Sequence, residues 1–183
     1  MNAKKLTLTA TITAAALVTF IIEIQLPPLT PIYGIKLGLA NIFTLFAMYA
    51  LGVKEAFLVL AVRVALGNII AGQMMSFAYS ACGGLLSFAA MLILMRITDI
   101  GTLWAASAVS AVFHNIGQIA AAVFFTKTLQ IVCYLPVLVI SGIVTGVFTG
   151  LCAMLVLKKL SKAGLIRLRI YKKFKLHKTE DAI

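Results

Sequence analysis

Long apolar runs, broken by short polar or proline-rich segments, set the plan of this chain. The first run predicts a membrane span over about Thr7 to Leu26. Lys4 and Lys5 precede it as in a secretory signal, but the run is long for one and no small-x-small cleavage site follows, so it reads as a span. Pro27 to Gly34, PPLTPIYG, then stops the helix with three prolines in eight residues. A second span is predicted from about Lys36 to Gly52, a turn at Val53–Lys54, and a third span from about Glu55 to Gly72. The more polar stretch Gln73 to Ser80 is expected to be a loop at the opposite surface. Span 4 follows over Ser80 to Ile97, a turn at Thr98–Thr102 (TDIGT), and span 5 over Leu103 to Phe125. Thr126 to Gln130 reads as a loop, and span 6 as Ile131 to Leu157 with Pro136 tolerated in its first turns.

Composition makes lipid the solvent for this pattern. Of 183 residues, 62% are hydrophobic and 11% charged, and the mean hydropathy is +1.09; a soluble domain is about half apolar and a quarter charged. At roughly 20 residues per span, the length holds six spans in one transmembrane unit, residues 1–157, with a basic tail at 158–183. The expected fold class is therefore an all-α membrane protein, a six-helix bundle. The net charge of +11 is concentrated: nine of 16 Lys and Arg residues lie between Lys158 and Lys178. This describes a cytoplasmic tail held near anionic lipid. A nucleic-acid surface is excluded, because no basic groove is interleaved with aromatic residues. With both termini in the cytoplasm of a multi-pass cell-membrane protein, the inner segments hold Lys4, Lys5, Lys54, Arg96 and the tail, whereas the outer ones hold Lys36 and Lys127.

Polar residues inside the spans carry the chemistry. Arg63 falls near the middle of span 3, where an unpaired charge costs on the order of 3 kcal/mol or more. Its structural reading is a pair with a carbonyl or carboxylate. Glu23 is the one carboxylate placed within a span. His114, Asn115 and Gln118 fall within five positions of span 5, with His114 and Gln118 on one face. A single buried histidine reads as a satisfied core residue, whereas three such side chains point to a polar cavity wall. Lys36, Asn41, Asn68 and Gln73 extend this set toward the outer surface. Lys36, Asn41, Arg63, Asn68, His114, Asn115 and Gln118 are thus the expected lining of an outward-facing, positive pocket for an anionic or strongly hydrogen-bonding small molecule.

Other features bound the function. No G-x-x-x-x-G-K-[ST] loop is present, so ATP hydrolysis by this chain alone is excluded. No metal-ligand cluster or aspartate-rich diphosphate motif occurs, and no cofactor, catalytic residue or metal site is expected. Cys82, Cys133 and Cys152 form no C-x-x-C and read as small packing residues. Ala10 and Ala14 in span 1, and Gly142, Gly146 and Gly150 in span 6, recur every four residues, a spacing that brings helices close in lipid. The glycines read as packing within the bundle; for the alanines an external protein partner stands close behind internal packing.

Several blocks carry a family resemblance: PIYGIKLGLANIFTLFAMYALG (Pro31 to Gly52), RVALGNIIAG (Arg63 to Gly72), SACGGLLS (Ser80 to Ser87), HNIGQ (His114 to Gln118) and Tyr134 to Gly150. Over about residues 30 to 157 the chain resembles the Gx transporter family, also described as heptaprenyl diphosphate synthase component I. The resemblance implies a six-helix substrate-binding component of an energy-coupling-factor transporter. Such a component captures a small molecule outside and relies on a coupling protein and ATPases. Ala10 and Ala14 match the A-x-x-x-A motif that meets the coupling protein in that fold. The second description implies instead an accessory membrane component of heptaprenyl diphosphate synthesis for menaquinone, partnered by a soluble prenyl synthase. A stand-alone secondary transporter is the third expectation.

Overall fold

A computed structural model describes residues 3–25, 38–72 and 74–164. Among these, every regular element is helical: α1 (Ala3–Glu23), α2 (Asn41–Ala50), α3 (Val53–Ile70), α4 (Met74–Leu94), α5 (Leu103–Thr126) and α6 (Leu135–Lys162). Single stretches of 3-10 helix, Ile100–Thr102 and Leu129–Tyr134, lead into α5 and α6. Helices suit an apolar solvent because each satisfies its own backbone groups. The same logic handles hydroxyls. Thr7, Thr9, Thr11 and Thr13 of α1 each donate to the carbonyl four residues back, at 2.8–3.1 Å, so a threonine-rich helix exposes no free hydroxyl proton there.

The breaks have local causes. Gly52, between α2 and α3, has φ +122, a region that L side chains rarely adopt. Lys127 ends α5 in the left-handed conformation. The backbone N–H of Asp99 donates to Thr102 Oγ1 at 3.2 Å and fixes the turn that opens α5. Pro136 sits in the first turn of α6, where its missing N–H breaks no bond.

Among the described residues, four stretches are long and apolar enough to cross a membrane: Ala3–Glu23, Met74–Leu94, Ile100–Thr126 and Leu129–Lys162. Large apolar side chains cover their outer faces, among them Ile22, Ile93, Phe124, Ile140 and Phe148; this is the surface of a protein whose solvent is lipid. The 18 residues of α3 include Lys54, Glu55 and Arg63. The ten residues of α2 span only about 15 Å, short of the expected second span; Lys36, which was to open that span, lies outside the described residues.

Two expected boundaries move. The loop predicted at Gln73–Ser80 is helix from Met74 onward, and Gln73 is outside the described residues. Its polarity marks a face rather than a loop: Ser76 and Ser80 are buried while Met74, Met75 and Phe77 are exposed. The last helix starts at Leu135 rather than Ile131 and runs past Leu157, so Lys159 and Lys162 lie in its final turn, the end where cations are favourable.

Packing centres on α5, which lies between α4 and α6. The glycine ladder of α6 faces it. A Cβ added at Gly146 would stand 2.6 Å from the Cα of Ala108, and one at Gly150 2.6 Å from the Cα of Trp104. On the other side of α5, a Cβ at Gly117 would meet the backbone of Cys82 and Gly83 in α4 at 2.8 Å. Close approach of this kind replaces the hydrophobic effect, which lipid does not provide between helices. Gly67 of α3 likewise seats the Phe20 ring of α1. α2 packs against α1, α3 and α6, and its Met48 is wholly buried with Ala16, Val59, Leu103 and Leu157 in the main core. At one end of the bundle Lys5 and Glu55 form an ion pair that ties α1 to α3.

Candidate functional site

At the opposite end from that ion pair, the last residue of α1 meets the start of α2. The backbone N–H of Gly38 donates to Glu23 Oε1, and the N–H groups of Leu39 and Ala40 also point to this carboxylate. A buried anion therefore sits on the positive end of a helix, where dipole and orphan donors both favour it. Gly38 has φ +79 and no room for a side chain: a Cβ there would stand 2.8 Å from Asn41 Nδ2 and 3.3 Å from the His114 ring. Only glycine brings the chain between these two groups.

Arg63 is buried and donates from Nη2 to Asn41 Oδ1 at 2.9 Å. Its charge interacts with that of Glu23, so the buried cation and anion offset one another. The balance is incomplete in hydrogen bonds, since Arg63 Nε has no partner among the described residues. Guanidinium offers five donors, and an unfilled buried donor costs about 1–3 kcal/mol.

His114 and Gln118 share the face of α5 that meets Gly83 of α4. A Cβ on Gly83 would lie 3.1 Å from His114 Cε1 and 2.8 Å from Gln118 Cγ. Both side chains are buried, and His114 Nδ1 and Gln118 Oε1 lack partners among the described residues. Asn41 and His114 thus meet around Gly38, with Arg63 bonded to Asn41 and Glu23 joining from α1, while Gln118 packs beside His114 against Gly83.

The other expected lining residues go elsewhere. Asn115 turns to α6, where its Nδ2 donates to the Leu138 carbonyl beside Gly142; it clamps α5 to α6. Asn68 is buried and donates to the Val64 carbonyl at 2.8 Å. It stands about 140° round α3 from Arg63, at the 100° per residue of a helix, and so faces a different neighbour. Lys36 lies outside the described residues. Ala10 and Ala14 are exposed on the outside of α1.

Sequence reasoning missed three parts of this region. It did not identify Glu23 as the acceptor for the turn that leads into α2, or Gly38 as the point where the chain passes between Asn41 and His114. Nor did it see a cavity of about 40 Å³ among α2 to α6, lined by Asn41, Thr44, Ser87, Ser107, Ser110, Thr145 and Thr149 together with Met48, Leu60 and Phe88. The spacing of Ser107 with Ser110, and of Thr145 with Thr149, was a signal for that hydroxyl wall. Among the described residues no group of three or more His, Cys, Asp or Glu side chains is placed to hold a metal ion.

The family described as heptaprenyl diphosphate synthase component I matches the chain over residues 12–156. No curated protein and no solved structure matches the chain.

Proposed function

The chain belongs to the heptaprenyl diphosphate synthase component I family, and from that premise we propose that it is the membrane-embedded, non-catalytic component of a polyprenyl diphosphate-forming system. In this reading it holds an anionic ligand, the diphosphate end of an isoprenoid, while a soluble prenyl synthase subunit performs the condensation that leads toward menaquinone. One observation carries the reading: Arg63 is buried and only partly hydrogen-bonded, with Asn41 bonded to it and His114 near enough to feel its charge. A planar guanidinium suits a phosphate oxygen pair better than any other side chain. The exposed cations Lys4, Lys54, Arg96, Lys158, Lys159 and Lys162 flank the Lys5–Glu55 end, and there they would meet both anionic lipid and a soluble partner.

A second reading has its own support. With six spans and both termini inside, the Glu23–Gly38 end faces outward, so the polar cluster would open to the exterior rather than to a cytosolic enzyme. Ala10 and Ala14 leave a small-residue stripe uncovered on α1, suited to close contact with another membrane helix. Together these favour a substrate-capture component of an energy-coupling-factor transporter, with ATPases as partners.

Gentle detergent extraction followed by native mass spectrometry separates the two. The first reading expects an isoprenoid diphosphate and a soluble prenyl synthase subunit, and loss of the bound ligand in Arg63→Leu. A water-soluble small molecule together with ATPase subunits would overturn it in favour of the second.

A further inference from the structure

Two spaces in the bundle share one side chain. Leu60 of α3 lines the cavity that holds Asn41, and also a slot of about 210 Å³ on the exposed apolar side of the α3–α4 seam. Ala61 and Ala65 of α3 face Ala81 of α4 across this slot, and their small side chains leave the gap. Phe57, Phe77 and Leu85 stand exposed at its edges, and no polar side chain lines it. Leu60 itself is buried, and its seat is Gly84: a Cβ there would stand 3.0 Å from Leu60 Cδ1. One turn away, the Phe57 ring in the slot meets the Phe88 ring in the cavity edge to face, with centroids 5.7 Å apart. The partition between lipid and the polar interior is here a single layer of apolar side chains.

Such a partition opens more easily than any other seam of the bundle. α4 packs closely on α5, where Gly117 lies against the backbone of Cys82 and Gly83, but only lightly on α3. Leu60 is held by apolar contact alone, and a leucine has several staggered rotamers to move between. Arg63 follows three residues later in α3, one turn along and about 60° round the helix. A ligand with an anionic end and an apolar chain therefore finds both of its partners on either side of Leu60. A second apolar groove, of about 220 Å³ between α1, α2 and α6, shares no lining residue with the cavity and lacks this connection.

We propose that the α3–α4 seam is the lateral entry for the ligand's apolar chain, with Leu60 as its gate. The isoprenoid chain lies in the slot, in contact with the bilayer, while the diphosphate end passes Leu60 toward Asn41 and Arg63. The inference rests on the prenyl diphosphate reading of the Arg63 cluster, and adds to it the route and the seat of the chain.

The test uses the full chain in phosphatidylcholine nanodiscs, where no anionic lipid competes. Binding of inorganic pyrophosphate reads the head site alone, and binding of farnesyl diphosphate reads head and chain together. Ala61→Leu/Ala81→Leu fills the slot from its lipid side, where Ala61 is exposed and Ala81 half-buried. It should weaken farnesyl diphosphate at least about tenfold and leave pyrophosphate as in the parent. Parent-level affinity for farnesyl diphosphate, or equal loss of both ligands, would overturn the entry route while leaving the head site standing. A parent chain that binds neither ligand would overturn the prenyl diphosphate reading itself, and this inference with it. Photolabelling of the wild-type chain by farnesyl diphosphate with a diazirine at its chain end needs no variant. Labels are expected within residues 57–65 and 77–85. Labels confined to residues 42–46 of the other groove would overturn the proposal. Equal labelling of the slot by the matching prenyl alcohol would also overturn it, and leave the slot to ordinary lipid.

Discussion

Arg63 shows how one residue can be both the hazard and the asset of a membrane core. Its charge is offset by Glu23 and one of its donors by Asn41, yet Nε remains unfilled. Arg63→Lys keeps the charge but loses the planar fork. We expect it to fold and to bind an anionic ligand at least tenfold more weakly, measured by retention of ligand on the purified protein. Glu23→Gln keeps the shape but removes the anion that Gly38, Leu39 and Ala40 surround. Hydrogen bonds to charged groups contribute about 1.5–3 kcal/mol, so this variant should lower the thermal midpoint, and Arg63→Leu in the same chain should restore part of the loss. An additive double variant would show that the two charges do not interact.

Between elements, stability is set by how closely helices approach rather than by apolar area. The α5–α6 seam leaves no space for a methyl group at Gly146, where the obstacle is the Ala108 backbone and nothing can rotate aside. Gly146→Ala should therefore cost about 1–3 kcal/mol, the usual penalty of overpacking. Gly101, with nothing within 4 Å of an added Cβ, is the control: Gly101→Ala should stay within about 0.5 kcal/mol of the parent. Detergent thermal unfolding compares the two directly. Gly142→Ala belongs between them, because its obstacle is the Asn115 side chain, which can move only by giving up its bond to the Leu138 carbonyl.

At the scale of the whole molecule, partner contact is separable from folding. Ala10 and Ala14 are exposed, so Ala10→Leu/Ala14→Leu should leave the thermal midpoint unchanged while reducing co-purification of any membrane partner. A partner that remains bound at the parent level would remove α1 as the contact surface. The helical plan of the chain was legible because lipid demands long apolar runs and because Pro136, Gly52 and the TDIGT turn carry their own punctuation. A lone arginine and a histidine–glutamine pair at i, i+4 stand out in apolar helices; in the fold Arg63 bonds Asn41, His114 meets Asn41 across Gly38, and Gln118 packs with His114 against Gly83. Asn115 carried the same signal and serves the α5–α6 seam, because one residue of rotation moves a side chain about 100° round a helix.

The amino-acid sequence alone determined that lipid is the solvent, that the backbone is helical, and that a few polar groups are buried at depth. Apolar content and local turn chemistry act over neighbouring residues, so they can be read in order along the chain. Which buried groups meet was decided only in three dimensions. Glu23 reaching Gly38, Gly38 meeting the His114 ring, and hydroxyls from α4, α5 and α6 sharing one cavity all join positions that are 15 or more residues apart. Such meetings depend on crossing points set by glycine contacts between helices, and no periodicity within a single helix encodes them.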